Sequence, residues 1–260
     1  MSRADLLPSL FLSHGSPMLA LDGEAWGKAV SAFGRRLPPL RAILVCSAHW
    51  EARGPLRLSS AAVPGVLHDF GGFPEELYRL DYPAPGSPEL AAEAAALLGQ
   101  AGLEAMLDPQ RPLDHGAWVP LRYLFPEAQV PVVQLSLPVP RTPERLLVAG
   151  RALAPLRASG VLIIGSGGIV HNLRRLDWEG ATGPQPWASA FERRIHDGLL
   201  AGDEAALLDW RLAPGAAESV PTSEHLDPLF VALGAAEKAP EPIYEGWQLG
   251  SLSLSSYAFA

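Results

Sequence analysis

Seven histidines are spread along 260 residues, and six of them sit beside glycine or proline or at the ends of apolar runs. His14 closes "SLFLSH", His49 closes "AILVCSAH", and His171 follows "VLIIGSGGIV". His68 opens "HDFGGFP", His115 lies in "PLDHGAWVP", and His225 lies in "TSEHLDP". Only His196 sits within a charged helical pattern, "FERRIHDGLL", where a solvated helix face explains it. Imidazole does two kinds of chemistry near neutral pH. It binds metals through a neutral ring nitrogen, and it exchanges protons with substrates.

His14, His49 and His225 are candidates for the first role. Taken singly, each has a plain structural reading, as a turn or strand-end histidine bonded to backbone or as a residue at a helix start. Together they suit a catalytic metal site, which uses about three protein ligands and keeps open positions. Imidazole nitrogens suit Fe, Zn, Cu and Ni, and the lack of cysteine ligands argues against a closed structural zinc site. His115 and His171 are candidates for acid–base work; each also reads as a buried, hydrogen-bonded histidine. His68 either faces a substrate or orders its loop. "GSGG" (165–168) has the composition of a phosphate-cradling turn but not the spacing of a nucleotide-binding fingerprint.

These side chains need elements to position them. Residues 9–14, 42–49, 130–137 and 161–168 read as buried strands, with the second ending at His49. Helical patterns occupy the stretch around Trp26, Val30 and Phe33, and then 87–103, 142–160, 187–202 and 223–236. Ser87 and Thr142 serve as N-caps, and the last pattern places His225 on its first turn. The C-terminal stretch alternates like one or two antiparallel strands. The expected fold is α/β: a single domain, residues 1–260, with a central mostly parallel or mixed sheet covered by helices on both faces. In such sheets the functional crevice lies beyond the carboxyl ends of the strands. That is where His14, His49 and His171 fall, and Trp50 is expected to wall the site.

Bulk properties narrow the partners. The formal net charge is −8, which disfavours nucleic acid and anionic membrane surfaces. The N-terminus lacks the pattern of a signal peptide, and no stretch reaches the ~20 apolar residues of a membrane span. A cytoplasmic location is expected. The single cysteine, Cys46, lies inside an apolar run and reads as a buried inert thiol.

Six stretches in order, "LFLSHGSPMLAL", "AILVCSAHWEARG", "HDFGGFPEELYRLDYPAPG", "LDHGAWVPLRYLFPEAQVPVVQLSL", "GSGGIVHNLRRL" and "SEHLDPLFVALGA", resemble the class III extradiol ring-cleavage dioxygenases, in particular the 4,5-DOPA dioxygenase-like branch. The resemblance implies cleavage of a DOPA-like catechol ring by O2 at one Fe(II), with Zn(II) often bound instead in the isolated protein. It implies His14, His49 and His225 as metal ligands, His171 as the acid–base group and His115 as a second active-site histidine. Distant members use a glutamate as third ligand, so Glu224 competes with His225; the close branch has histidine. The same residues also describe a zinc-dependent hydrolase, or a non-catalytic binding protein on this fold.

Overall fold

The computed structural model describes residues 6–178 and 183–260. Its main strands are β1 (Ser9–Ser13), β2 (Ala42–Arg53), β3 (Leu56–Ser59), β4 (Ala105–Asp108), β5 (Val132–Val139), β6 (Val161–Gly167) and β7 (Pro240–Tyr244). A small ladder of β8 (Trp247–Gln248) and β9 (Leu252–Ser253) follows, and then β10 (Ser256–Phe259). The main sheet has eight strands in the order β4-β3-β5-β2-β6-β1-β10-β7. The four central strands, β5, β2, β6 and β1, run parallel, and β10 joins β1 antiparallel. On the other side β3 pairs antiparallel with β5 and parallel with β4.

Alternate residues of the central strands feed two separate cores. Phe11, Leu44, Cys46 and Ile163 pack on one face, with the helices Pro88–Gln100, Pro143–Leu153, Pro186–Ala201 and Pro228–Gly234. Leu10, Leu12, Ile43, Val45, Leu162 and Ile164 pack on the other, with the helices Glu24–Gly34 and His115–Leu124. A strand covered on both faces must be apolar throughout, which is why these segments read as continuous hydrophobic runs. The expected α/β architecture, with helices on both faces, is the one observed.

Local chemistry sets two helix starts as anticipated. Ser87 accepts from the Leu90 N–H and Thr142 from the Arg145 N–H, each with proline at the first helical position. Pro155 divides the expected helix 142–160 into Pro143–Leu153 and Pro155–Ala158. The expected helix 223–236 is also divided: Ser223–His225 is a 3-10 turn, and the α-helix begins at Pro228. One further correction and one addition bear on function. β2 does not end at His49 but runs on to Arg53, and its register against β5 shifts between Cys46 and Glu51. The segment after Asp114, marked by Gly116 and Pro120, is a helix, His115–Leu124.

Because β1, β6 and β2 are parallel and in step, their carboxyl ends lie at one level. Ser13 pairs with Gly167, and Ser47 with Ser166. Residues immediately after these pairs share one edge of the sheet.

Candidate active site

Beyond that edge lies a cavity of about 550 Å³. Its walls include His49, His115, His171 and His225, the carboxylates Asp69 and Glu224, and the apolar side chains of Phe70, Phe73, Leu173 and Trp178. His14 lies beneath the floor, 1% exposed. Of the seven histidines, five therefore gather at one place. The ring centroids of His14 stand 4.9 Å from His49 and 5.4 Å from both His115 and His225. The His49 and His115 centroids are 3.9 Å apart. His171 stacks on His225, with centroids 3.4 Å apart and planes 6° from parallel.

The glycines of "GSGG" let this happen. A Cβ on Gly167 would lie 2.0 Å from the His225 carbonyl oxygen, and one on Gly165 would lie 2.1 Å from that of Pro228. Only a residue without Cβ lets the 225–228 segment close onto β6. The Gly168 N–H then donates to the His225 carbonyl at 2.8 Å, and the His14 N–H donates to that of Gly167 at 3.1 Å. These glycines serve backbone packing, so the phosphate reading of this stretch is set aside.

Hydrogen bonds fix which nitrogen of each ring is free. The Ser166 hydroxyl donates to the Gly116 carbonyl at 2.5 Å, so it can only accept from His14 Nδ1, 2.9 Å away. His225 Nδ1 donates to Glu224 Oε1 at 3.1 Å. His49 Nδ1 faces Asp69 Oδ2 at 3.4 Å. In His14 and His225 Nε2 is left with its lone pair, and in His49 it is so when Nδ1 carries the proton towards Asp69. The Nε2 atoms of His14 and His49 stand 3.0 Å apart, and the buried Nε2 of His225 has no hydrogen-bond partner.

Charge follows burial. Desolvation first, and then the neighbouring imidazoles, hold His14 and His225 well below the usual histidine range. The same causes bring His49 to about 3 and His171 to about 4. All four rings are neutral at pH 7, the state a metal ligand or a base requires. Burial alone would raise the Asp69 carboxyl, but hydrogen bonds from His115, with the electrostatic pull of His115 and His49, outweigh it and bring Asp69 to about 2.

These observations favour a bound cation. Two lone pairs aimed at each other across 3.0 Å repel unless they share a proton or a metal. Imidazole–metal bonds of about 2.0–2.1 Å at a near-right angle place two nitrogens about 3 Å apart. A buried nitrogen with no partner is a further cost that coordination removes. Among the described residues three overlapping groups could hold a metal: His14/His49/His225, His49/Asp69/His115 and His171/Glu224/His225.

Residues 8–260 match the family described as the catalytic LigB subunit of aromatic ring-opening dioxygenase. The chain belongs to this family. Among relatives of this dioxygenase, the 4,5-DOPA dioxygenase extradiol of Escherichia coli (strain K12) is 40% identical, over 96% of this chain and 93% of that one. The enzyme of the same name from Beta vulgaris is 38% identical, over 99% and 98%. The crystal structure of an uncharacterized protein from Escherichia coli K12 superposes with a TM-score of 0.84 at 33% identity, covering 98% of this chain and all of that one. Family membership makes this chain an extradiol ring-cleaving dioxygenase with a metal-dependent chemistry.

Several expectations about the dioxygenase site change. Trp50 does not wall the cavity; it is buried beneath the Arg111 guanidinium, 4.9 Å from its ring centroid. His68 orders its loop, with Nε2 3.0 Å from the Leu80 carbonyl and its ring against Trp118. Its neighbour Asp69 is the residue that enters the site, bonded through Oδ1 to both the backbone N–H (3.0 Å) and Nδ1 (2.9 Å) of His115. Asp69 escaped notice because its partner is 46 residues away and no periodicity connects them. His196 stays outside, bonded to the Tyr257 hydroxyl at 3.0 Å. Cys46 is buried, and desolvation raises its thiol, as expected for an inert group. Among the described residues no helix is long and apolar enough to cross a membrane.

Proposed function

We propose that this chain binds one metal ion through the Nε2 atoms of His14, His49 and His225, that Fe(II) is the active ion, and that the substrate is a DOPA-like catechol. The pairing of His14 Nε2 with His49 Nε2 at 3.0 Å carries the reading, because it wants a shared cation. Of the three possible groups, this one uses only nitrogens with no other task. Asp69 is engaged by His115 and Glu224 by His225, so the groups that include them compete with bonds already made. Three neutral ligands leave the cation's charge uncompensated, which favours an anionic diol. Zn(II) would be bound by the same donors in protein isolated without iron. The name of the relatives, 4,5-DOPA dioxygenase extradiol, supports the substrate class.

When bound, the metal supplies a Lewis acid for the two diol oxygens and a redox partner for dioxygen. The rest falls to side chains. Phe70, Phe73, Leu173 and Trp178 present apolar walls to an aromatic ring. His171, neutral with a folded-state value of about 4, accepts a proton from a diol hydroxyl and later returns it to a departing oxygen. His115, held by Asp69 through Nδ1–H, presents its other nitrogen towards the cavity, where it can hold an oxygen by hydrogen bond. Residues 1–260 act as one catalytic domain, and no nucleic acid or membrane partner is needed. A cytoplasmic setting fits ferrous chemistry and the single reduced cysteine.

The test is loading with Fe(II) under anaerobic conditions, followed by air and a panel of catechols. Oxygen uptake matched to the visible absorbance of ring-opened product is expected. Equal oxygen uptake with Zn(II) alone would overturn the Fe(II) assignment, and ring opening of other catechols with none of a DOPA-like one would overturn the substrate class.

A further inference from the structure

His49 sits where the sheet lets go of its strand. Pairing of β2 with β6 stops at Ser47, and pairing with β5 skips from Cys46 to Glu51. The main-chain groups of residue 49 therefore need partners other than the ladder. Both find one. The His49 N–H donates to Ser47 Oγ at 3.2 Å, and the His49 carbonyl accepts from Arg111 Nη2 at 3.2 Å. Both routes end on one carboxylate. Ser47 Oγ donates to Asp114 Oδ1 at 2.6 Å, and Arg111 Nη2 donates to Asp114 Oδ2 at 2.6 Å.

Asp114 is fully buried and accepts two more bonds, from Gln134 Nε2 at 2.6 Å and from the Ala117 N–H at 3.2 Å. The second of these caps the helix that begins with His115. Gly116 lets that helix approach; a Cβ there would lie 2.5 Å from Ser47 Oγ and 3.0 Å from His49 Cδ2. The Arg111 guanidinium also covers the Trp50 ring.

We propose that Asp114, acting through Arg111 and Ser47, is the positioning centre of His49: it locks the backbone of the unpaired segment so that Nε2 points at the shared cation. Asp114 touches neither metal nor substrate and is a positioning residue. The proposal rests on the assignment of His49 as a ligand. Such outer contacts commonly change metal affinity by about 10–100-fold when removed.

Asp114→Asn would leave the half-buried Arg111 without its ion pair, a change expected to lower stability as well. The decisive variants of the full chain are therefore Ser47→Ala and Arg111→Gln, with Arg111→Lys as rescue and His49→Ala as control. Zn(II) affinity is measured by competition with a chelator, well below the thermal midpoint of each metal-free variant. Co(II) visible spectra report the ligand geometry. Ser47→Ala and Arg111→Gln are each expected to weaken Zn(II) binding by about tenfold or more and to alter the Co(II) bands, while Arg111→Lys recovers part of the affinity. Wild-type affinity and spectrum in both variants, at whatever thermal midpoint, would overturn the proposal. Wild-type affinity in His49→Ala would overturn the ligand assignment itself, and the proposal with it.

Discussion

His171 lies flat on His225, ring centroids 3.4 Å apart and planes 6° from parallel. One is a proposed base and the other a proposed ligand, and the stack holds the two rings together. His171 takes its place through its backbone, whose N–H donates to the Ser219 carbonyl at 3.0 Å. His171→Ala is therefore expected to bind metal normally. Its turnover of catechols should fall by about 10²–10⁴-fold. Metal analysis beside oxygen uptake separates the roles; loss of metal in this variant would make His171 a ligand.

Glu224 and His225 are the second test. Neighbours on a helical turn point about 100° apart, which would turn Glu224 to solvent or to the helix start when His225 faces the metal. Instead it stays at the cavity wall, accepting from His225 Nδ1 and from the Thr222 hydroxyl at 2.9 Å. Such a carboxylate fixes the tautomer and raises ligand basicity. His225→Ala should abolish metal binding. Glu224→Gln, which keeps an acceptor but loses the charge, should weaken binding by about tenfold or less. The opposite pattern in a metal titration would make Glu224 the ligand.

Gly167 allows the closest approach in the site. In Gly167→Ala the new methyl would meet the His225 carbonyl at 2.0 Å, with backbone on both sides and little room to give. The variant is expected to lose about 1–3 kcal/mol of stability, read by urea unfolding. Metal affinity should fall with it, because His225 must move. Gly99→Ala, with nothing within 4 Å of the added Cβ, is the matched control.

A pH effect is expected at Glu192, which does not line the cavity. Burial raises the Glu192 carboxyl, only partly opposed by hydrogen bonds from Ser253 and Ser255. A raised carboxyl favours the folded state below the unfolded-state pKa. That advantage is lost as pH rises through the folded-state value. Glu192→Gln removes the titration while keeping an acceptor for both hydroxyls. The wild type should therefore lose more stability than the variant between pH 4 and pH 7, as measured by urea unfolding at each pH. Equal slopes would mean that Glu192 ionises in the folded chain as it does in the unfolded one.

The sheet was legible in the residue order because strands buried on both faces must be apolar throughout, as in "VLIIGSG". The cap signals of Ser87 and Thr142 were legible for a similar reason, since they act within three residues of themselves. The histidines at strand ends pointed to one edge, because parallel strands carry their carboxyl termini to the same side. What that order could not reveal is how the edge is finished. The shifted register at His49 depends on which strands lie beside β2. The bond between Asp69 and His115 spans 46 residues, and that between His14 and Ser166 spans 152. Single hydrogen bonds of this kind leave no period in the sequence, since each needs only one residue at each end. The segment 223–228 shows the same division. Its apolar pattern announced a helix, but the contact of the His225 carbonyl with Gly168, and the close fit against Gly167, hold residues 223–225 in a separate 3-10 turn. Local propensity chose the elements; contacts between distant residues decided which nitrogen of His14 and of His115 is bonded, while His225 is held by its neighbour Glu224.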